Sequence, residues 1–334
     1  MRAFSCPVCR RLAPFESVAC VHCGAAHGFD WGVRELRSPG GEADLERCAN
    51  RELAACNGLA STPGELCRAC ALTRTRPADD DPAGMAAFAL TEAAKRRLVF
   101  ELLELGLPVD GGLAFDLLAS SREPVTTGHA DGLITIDLAE ADDSHREAMR
   151  AQMAEPYRTL LGHLRHEIGH YYEPIVVQGD DLDEGRRLFG DEREDYGESL
   201  ERHYREGPPE DWAEHHVSSY ATMHPWEDWA ETFAHYLHIV DTLQTAGAFG
   251  VTVAGPEGVL ASKSAPLHSE PDAEEDDFAQ VLETWLPLTY ALNALNRSMG
   301  ADDLYPFVLT PSVMDKLGFV HRMVRAAGTM RAAA

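Results

Sequence analysis

The chain has 334 residues, 45% of them apolar, enough for a packed interior divided over more than one compact part. Its 29 Lys and Arg stand against 55 Asp and Glu, a net charge of -26 that argues against a phosphate-tracking surface and so against nucleic acid as a main partner. Met1 to Arg11 has no secretion-signal pattern, and no run approaches the ~20 apolar residues of a spanning helix, so a cytoplasmic protein with no membrane partner is expected.

The charge is uneven. Through residue 80 ten Arg face ten Asp and Glu, so the acidic surplus lies beyond. It serves solubility or, on a sharper reading, attraction of a basic substrate segment.

The chain opens with FSCPVCRRLAPFESVACVHCGAAHGFD, rich in turn formers and poor in periodic apolar residues, so it needs an internal staple. Cys6-Pro-Val-Cys9 and Cys20-Val-His-Cys23 form two knuckles with zinc-ribbon spacing, and four thiolates close a tetrahedral structural site. Cys48, Cys56, Cys67 and Cys70 could close a second one, although the first pair is widely spaced. Disulfides, reduced thiols or a redox pair are the competing readings. A closed site has no position for water, so this module is structural or docks a protein partner. The lack of lysine and the balanced charge here argue against nucleic-acid binding by the ribbon. The cysteine-rich module is assigned to 1–78, with the ribbon at 1–35 and the second site at 45–75. A Pro, Asp and Gly linker follows near 75–84, and the second domain spans 85–326.

From Met85 apolar residues recur at three and four, which predicts a helix. LAFDL at 113–117 and GLITIDL at 132–138 read as strands of a small sheet, the second a candidate edge strand that could align a peptide. Ala154 to Tyr172 has helical spacing, with Pro156 suited to its first turn and Pro174 just behind its end. Residues 178–211 read as short helices and loops. A further helix runs from His224 to about Leu243, 269–277 reads as a solvated acidic loop, and two more helices follow, the last after 310–312.

HEIGH places His166 and His170 four apart, so both imidazoles leave one helix face a turn apart, with Glu167 beside them as general base. A catalytic zinc takes three protein ligands and keeps a position for water. Glu227 and Glu231, four apart on the later helix, are the best carboxylates for the third. One can bind the metal while the other orients a ligand histidine. Glu231 as ligand with His235 beside it, or His224 or Asp228 as donor, are the alternatives. No Gly-x-Ser-x-Gly elbow offers a competing nucleophile.

HEIGHYY followed by YATMHPWEDWAETFAHYLHIVDTL resembles zinc-binding metallopeptidases of the gluzincin type that carry an N-terminal zinc ribbon, over most of the chain. The resemblance implies an α+β, mostly helical fold, with a zincin-like domain of small sheet and active-site helix behind the ribbon. It implies one catalytic and two structural zinc ions and a peptide or protein substrate. The family's ligand glutamate, and the acidic or amide residue four positions later that supports a ligand histidine, match Glu227 and Glu231, so the resemblance implies Glu227 as ligand and Glu231 as the group that orients a histidine. In the branch resembling anthrax lethal factor a tyrosine about two turns before that glutamate stabilises the oxyanion, and Tyr220 matches it. The alternative function is a catalytically silent zincin scaffold that binds a partner through the ribbon.

Overall fold

A computed structural model describes residues 1–41, 44–121, 123–152, 155–254 and 278–332. It divides into two compact units: Met1–Leu102 with Val109–Met149, and Leu103–Pro108 with Arg150–Ala334. The acidic segment 269–277 lies outside the described residues.

The first unit begins with short antiparallel pairs: β1 (Phe4–Ser5) with β2 (Leu12–Ala13), β3 (Gly28–Asp30) with β4 (Glu35–Arg37), and β5 (Glu46–Arg47) with β6 (Leu59–Ala60). Such ribbons are too small to stand alone. They are consolidated by an aromatic cluster: Phe15 and Phe29 are 4.8 Å apart, Phe29 and Trp31 4.9 Å, and Phe100 of helix α1 (Pro82–Glu104) lies 5.7 Å from Phe4. Phe88, Leu98, Val99 and Phe100 are all buried, as are the charged Glu92, Lys95 and Arg96, so α1 is enclosed nearly all round rather than on one face. Lys95 pairs with Glu92, which offsets part of the cost of burying the two charges.

A four-stranded sheet completes the unit. Its order is β7 (Thr73–Thr75), β8 (Ala114–Leu118), β10 (Leu133–Asp137), β9 (Gly128–Ala130). The two expected strands form within one residue of their predicted bounds, but β10 is not an edge. It pairs in parallel with β8 on one side and antiparallel with β9 on the other. Over Leu133–Thr135 it has strands on both sides, and beyond them the Asp137 amide bonds the Thr127 hydroxyl, so it is not the open edge on which a peptide would align.

Helix α2 (Asp143–Gln152) follows, and the second unit is helical: α3 (Leu160–Val176), α4 (Asp181–Phe189), α5 (Tyr196–Glu206), α6 (Trp212–His215), α7 (Pro225–Ala248), α8 (Phe278–Ser298) and α9 (Pro311–Ala332). Both proline expectations for α3 fail. The hydroxyl of Thr159 accepts from the Gly162 amide at 3.0 Å and caps the helix, leaving Pro156 outside it. Pro174 lies inside the last turn, where only one backbone donor is lost, and the Val177 amide still bonds Glu173. The N-cap of α7 is His224, whose Nδ1 accepts from the Trp226 amide at 3.0 Å, with Pro225 in the first turn.

Helices α3 and α7 pack tightly because Gly169 has no side chain. A Cβ there would stand 3.0 Å from Ala230 Cα and 3.2 Å from Phe233 Cβ. Trp229 Nε1 donates to the Gly169 carbonyl at 2.9 Å, and Tyr172 stacks on Phe233 at 5.8 Å. Helix α9 is tied to α7 by the buried pair Lys316–Asp228 at 2.6 Å and by Phe319 against Trp229. The close α3–α7 approach lets residues of the two helices share one site.

Candidate metal centre

His166 and His170 face α7 from successive turns of α3, their Nε2 atoms 3.2 Å apart. Glu227 Oε2 lies 3.0 Å from His166 Nε2 and 3.5 Å from His170 Nε2. Zinc–nitrogen bonds of ~2.0–2.1 Å at tetrahedral angles separate donor atoms by about 3.3 Å, so this triangle has the dimensions the ion requires.

Proton bookkeeping points the same way. His166 Nδ1 lies 2.7 Å from Glu231 Oε1, whose partner oxygen accepts from Ser218 Oγ at 2.6 Å. An ionised carboxylate can only accept, so Nδ1 carries a hydrogen; burial lowers the His166 pKa, but the hydrogen bonds and charges of Glu227 and Glu231 outweigh it and hold the ring well above its ordinary value. Glu227 Oε2, 3.0 Å from His166 Nε2, calls for positive charge at that edge of the ring, which a proton or a metal ion can supply. Glu227 Oε2 and His170 Nδ1 are buried and make no well-formed hydrogen bond. Burial raises the pKa of Glu231, but the hydrogen bond and charge of His166 outweigh it and hold the carboxyl at about 2. Glu227 is lowered in the same manner by both histidines against the effect of burial. The pocket is built for positive charge.

The other candidate donors are engaged elsewhere. His224 caps α7, Asp228 pairs with Lys316, and His235 Nδ1 lies 2.8 Å from Tyr305 Oη. Glu231 is on His166 Nδ1, away from the cluster formed by the two Nε2 atoms and Glu227. Tyr220, on a 3-10 turn at Tyr220–Thr222, stands with its ring 6.2 Å from that of His166.

Glu167, nine-tenths buried or more, has Oε1 3.2 Å from His163 Nε2 and Oε2 without a hydrogen-bond partner. Burial raises its pKa, but the contact with His163 and the charges of the nearby imidazoles outweigh it and hold the group below its ordinary value, so it is an anion with one unengaged oxygen. His163 escaped the sequence reading although its spacing, four before Glu167 on a helix, is a usable signal. Tyr196 also escaped it. Its hydroxyl donates to Glu227 Oε1 at 2.9 Å from 31 positions upstream, out of a charged segment with no pattern that marks it.

The cysteines of the first unit gather into two groups of four, Cys6, Cys9, Cys20, Cys23 and Cys48, Cys56, Cys67, Cys70, and all eight are free thiols. In the first, Cys6–Cys23 and Cys9–Cys20 sulfurs are 3.8 and 3.6 Å apart; in the second, Cys56–Cys67 and Cys56–Cys70 are 3.6 and 3.5 Å apart. Disulfide sulfurs would be ~2.05 Å apart, whereas zinc–sulfur bonds of ~2.3 Å separate tetrahedral sulfurs by about 3.8 Å. Backbone amides point at the sulfurs, Val8 at Cys6 and Gly58 at Cys56, and favour thiolates. Gly58 leaves no room for a side chain, since a Cβ would lie 2.5 Å from Cys67 Sγ.

A family model described as "Putative zinc-binding metallo-peptidase" matches residues 84–323, and a zinc-ribbon domain model matches residues 3–81. An uncharacterized protein of Mycobacterium bovis and one of Mycobacterium tuberculosis are each 52% identical over 335 residues, covering 97% of this chain and 95% of the relative. No solved structure matches the chain. Among the described residues no helix is long and apolar enough to cross a membrane.

Proposed function

The chain belongs to the zinc-binding metallopeptidase family whose model it matches over residues 84–323, and from that premise we propose that it hydrolyses peptide bonds at a zinc held by His166, His170 and Glu227. The observation that carries the reading is the triangle of donor atoms, with edges of 3.0, 3.2 and 3.5 Å, in a site where carboxylates outnumber cations. The assignment extends to a zincin-like fold and the gluzincin ligand set, supported by two histidines from one helix and a carboxylate from a later one. It also includes two structural zinc ions in the four-cysteine sites.

Zinc held by His166, His170 and Glu227 would supply Lewis acidity to polarise a carbonyl and to make water more acidic. The chain's own residues do the rest. Glu167 accepts the proton of the attacking water on Oε2, the new carbon–oxygen bond forms, and the carbon–nitrogen bond breaks as Glu167 passes that proton to the departing amine. His163, on the other oxygen of Glu167, holds the carboxylate in one rotamer. Glu231, braced by Ser218, orients His166 and strengthens it as a donor. Tyr220 is the candidate hydrogen-bond donor to the developing oxyanion.

The test is Glu167→Gln with wild type beside it, assayed for bound metal and for cleavage of a peptide library. We expect about three zinc ions per chain in both and cleavage by wild type only. Equal biological activity in the two proteins would favour a silent scaffold instead.

A further inference from the structure

The geometry points to Tyr196 as a positioning residue that keeps Glu227 a one-oxygen ligand and so preserves the open position of the site. This rests on the metal site proposed above. A carboxylate can bind a metal through one oxygen or both, and two would occupy the place that water and substrate need. The two oxygens of Glu227 are treated differently. Oε2 faces the ring nitrogens of His166 and His170, whereas Oε1 accepts from the Tyr196 hydroxyl at 2.9 Å. A hydrogen bond to an ionised acceptor is among the stronger kinds and turns Oε1 away from the donor triangle.

The surroundings fit a positioning role. Tyr196 sits in the first turn of α5, whose start is set by Asp195 Oδ1 accepting the Glu198 amide at 2.9 Å. Its ring is fixed by His224 at 5.4 Å, centroid to centroid, and by Trp226 at 6.4 Å. Trp226 in turn stands 5.1 Å from His170.

The experiment is cobalt(II) substitution of the full chain, with Tyr196→Phe beside wild type. Each spectrum is taken as a difference from the same protein carrying His166→Ala, which removes the signal of the cysteine sites. Wild type should give the intense visible bands of a four-coordinate ion. Tyr196→Phe should keep the metal and the melting temperature but lose band intensity, as the freed oxygen raises the coordination number. Cleavage should fall about 10–100-fold in kcat at unchanged KM. Tyr204→Phe, an exposed phenol on the same helix, should match wild type. An unchanged cobalt difference spectrum in Tyr196→Phe overturns the inference and leaves the metal site standing. No difference between wild type and His166→Ala overturns both.

Discussion

The two units hold metal-donor clusters of opposite character. The four-cysteine groups use all their donors and leave no room for a fifth, and the second of them is buried at all four positions. The cluster of His166, His170 and Glu227 stops at three donors and has, a residue away, an anionic carboxylate with an unengaged oxygen. Number of donors, not burial, separates the two kinds: Glu227 is as buried as Cys48, each at 2% exposure. Closure produces a staple for a small core, whereas an unfilled position leaves room for chemistry. The cysteine groups also differ from each other. Cys23 of the first is at the surface, whereas the second rests on α1, with Cys70 Sγ 3.4 Å from Glu92.

Breaking the buried staple should have the largest effect. Cys56→Ser removes a donor from a site whose ion contributes, in small zinc-dependent domains, on the order of 10 kcal/mol to folding. The first unit should lose cooperative melting and be cut by protease across residues 1–80. A normal melting curve would show that this group is no staple. Glu167→Gln comes next, with cleavage lower by about 10²–10⁴-fold at full metal content. If it also lost metal or melted early, the distinction between folding and reactive sites would collapse.

The contrast between the two cysteine groups can be sharpened with a chelator. In a His166→Ala background, which removes the third site, zinc release followed with a colorimetric dye should be biphasic, the first cysteine site emptying before the second, and Cys23→Ser should abolish only the fast phase. Gly169→Ala tests the α3–α7 approach. The added Cβ must displace Ala230 backbone, which should cost about 1–3 kcal/mol and lower metal affinity at the histidine site while both cysteine sites stay full. The smallest effect is expected of Ser218→Ala, which removes one hydrogen bond from Glu231 and about 1 kcal/mol. It should show in calorimetric zinc affinity without loss of fold.

Local regularities were legible and convergence was not. Helical repeat alone puts His166 and His170 on one face, and paired Cys-x-x-Cys spacing alone marks the first thiolate group, because both depend on residues within a turn of one another. Strand β10 was recognised from its alternation, but its place inside the sheet depends on β8 and β9 and is absent from its own pattern. Pro156 and Pro174 misled about α3 because a capping threonine and a tolerant last turn outweigh proline's average preference.

The sequence by itself therefore determined the donor types, the pairing of the two histidines with Glu167 and the cysteine knuckles, since bonded geometry sets those spacings before any packing occurs. The tertiary structure decided which of Glu227 and Glu231 faces both Nε2 atoms, and it brought Tyr196 to the second oxygen of Glu227. Those contacts depend on how closely and at what rotation α3, α5 and α7 pack. That is a property of whole helix faces, with Gly169 against Ala230 at the point of closest approach.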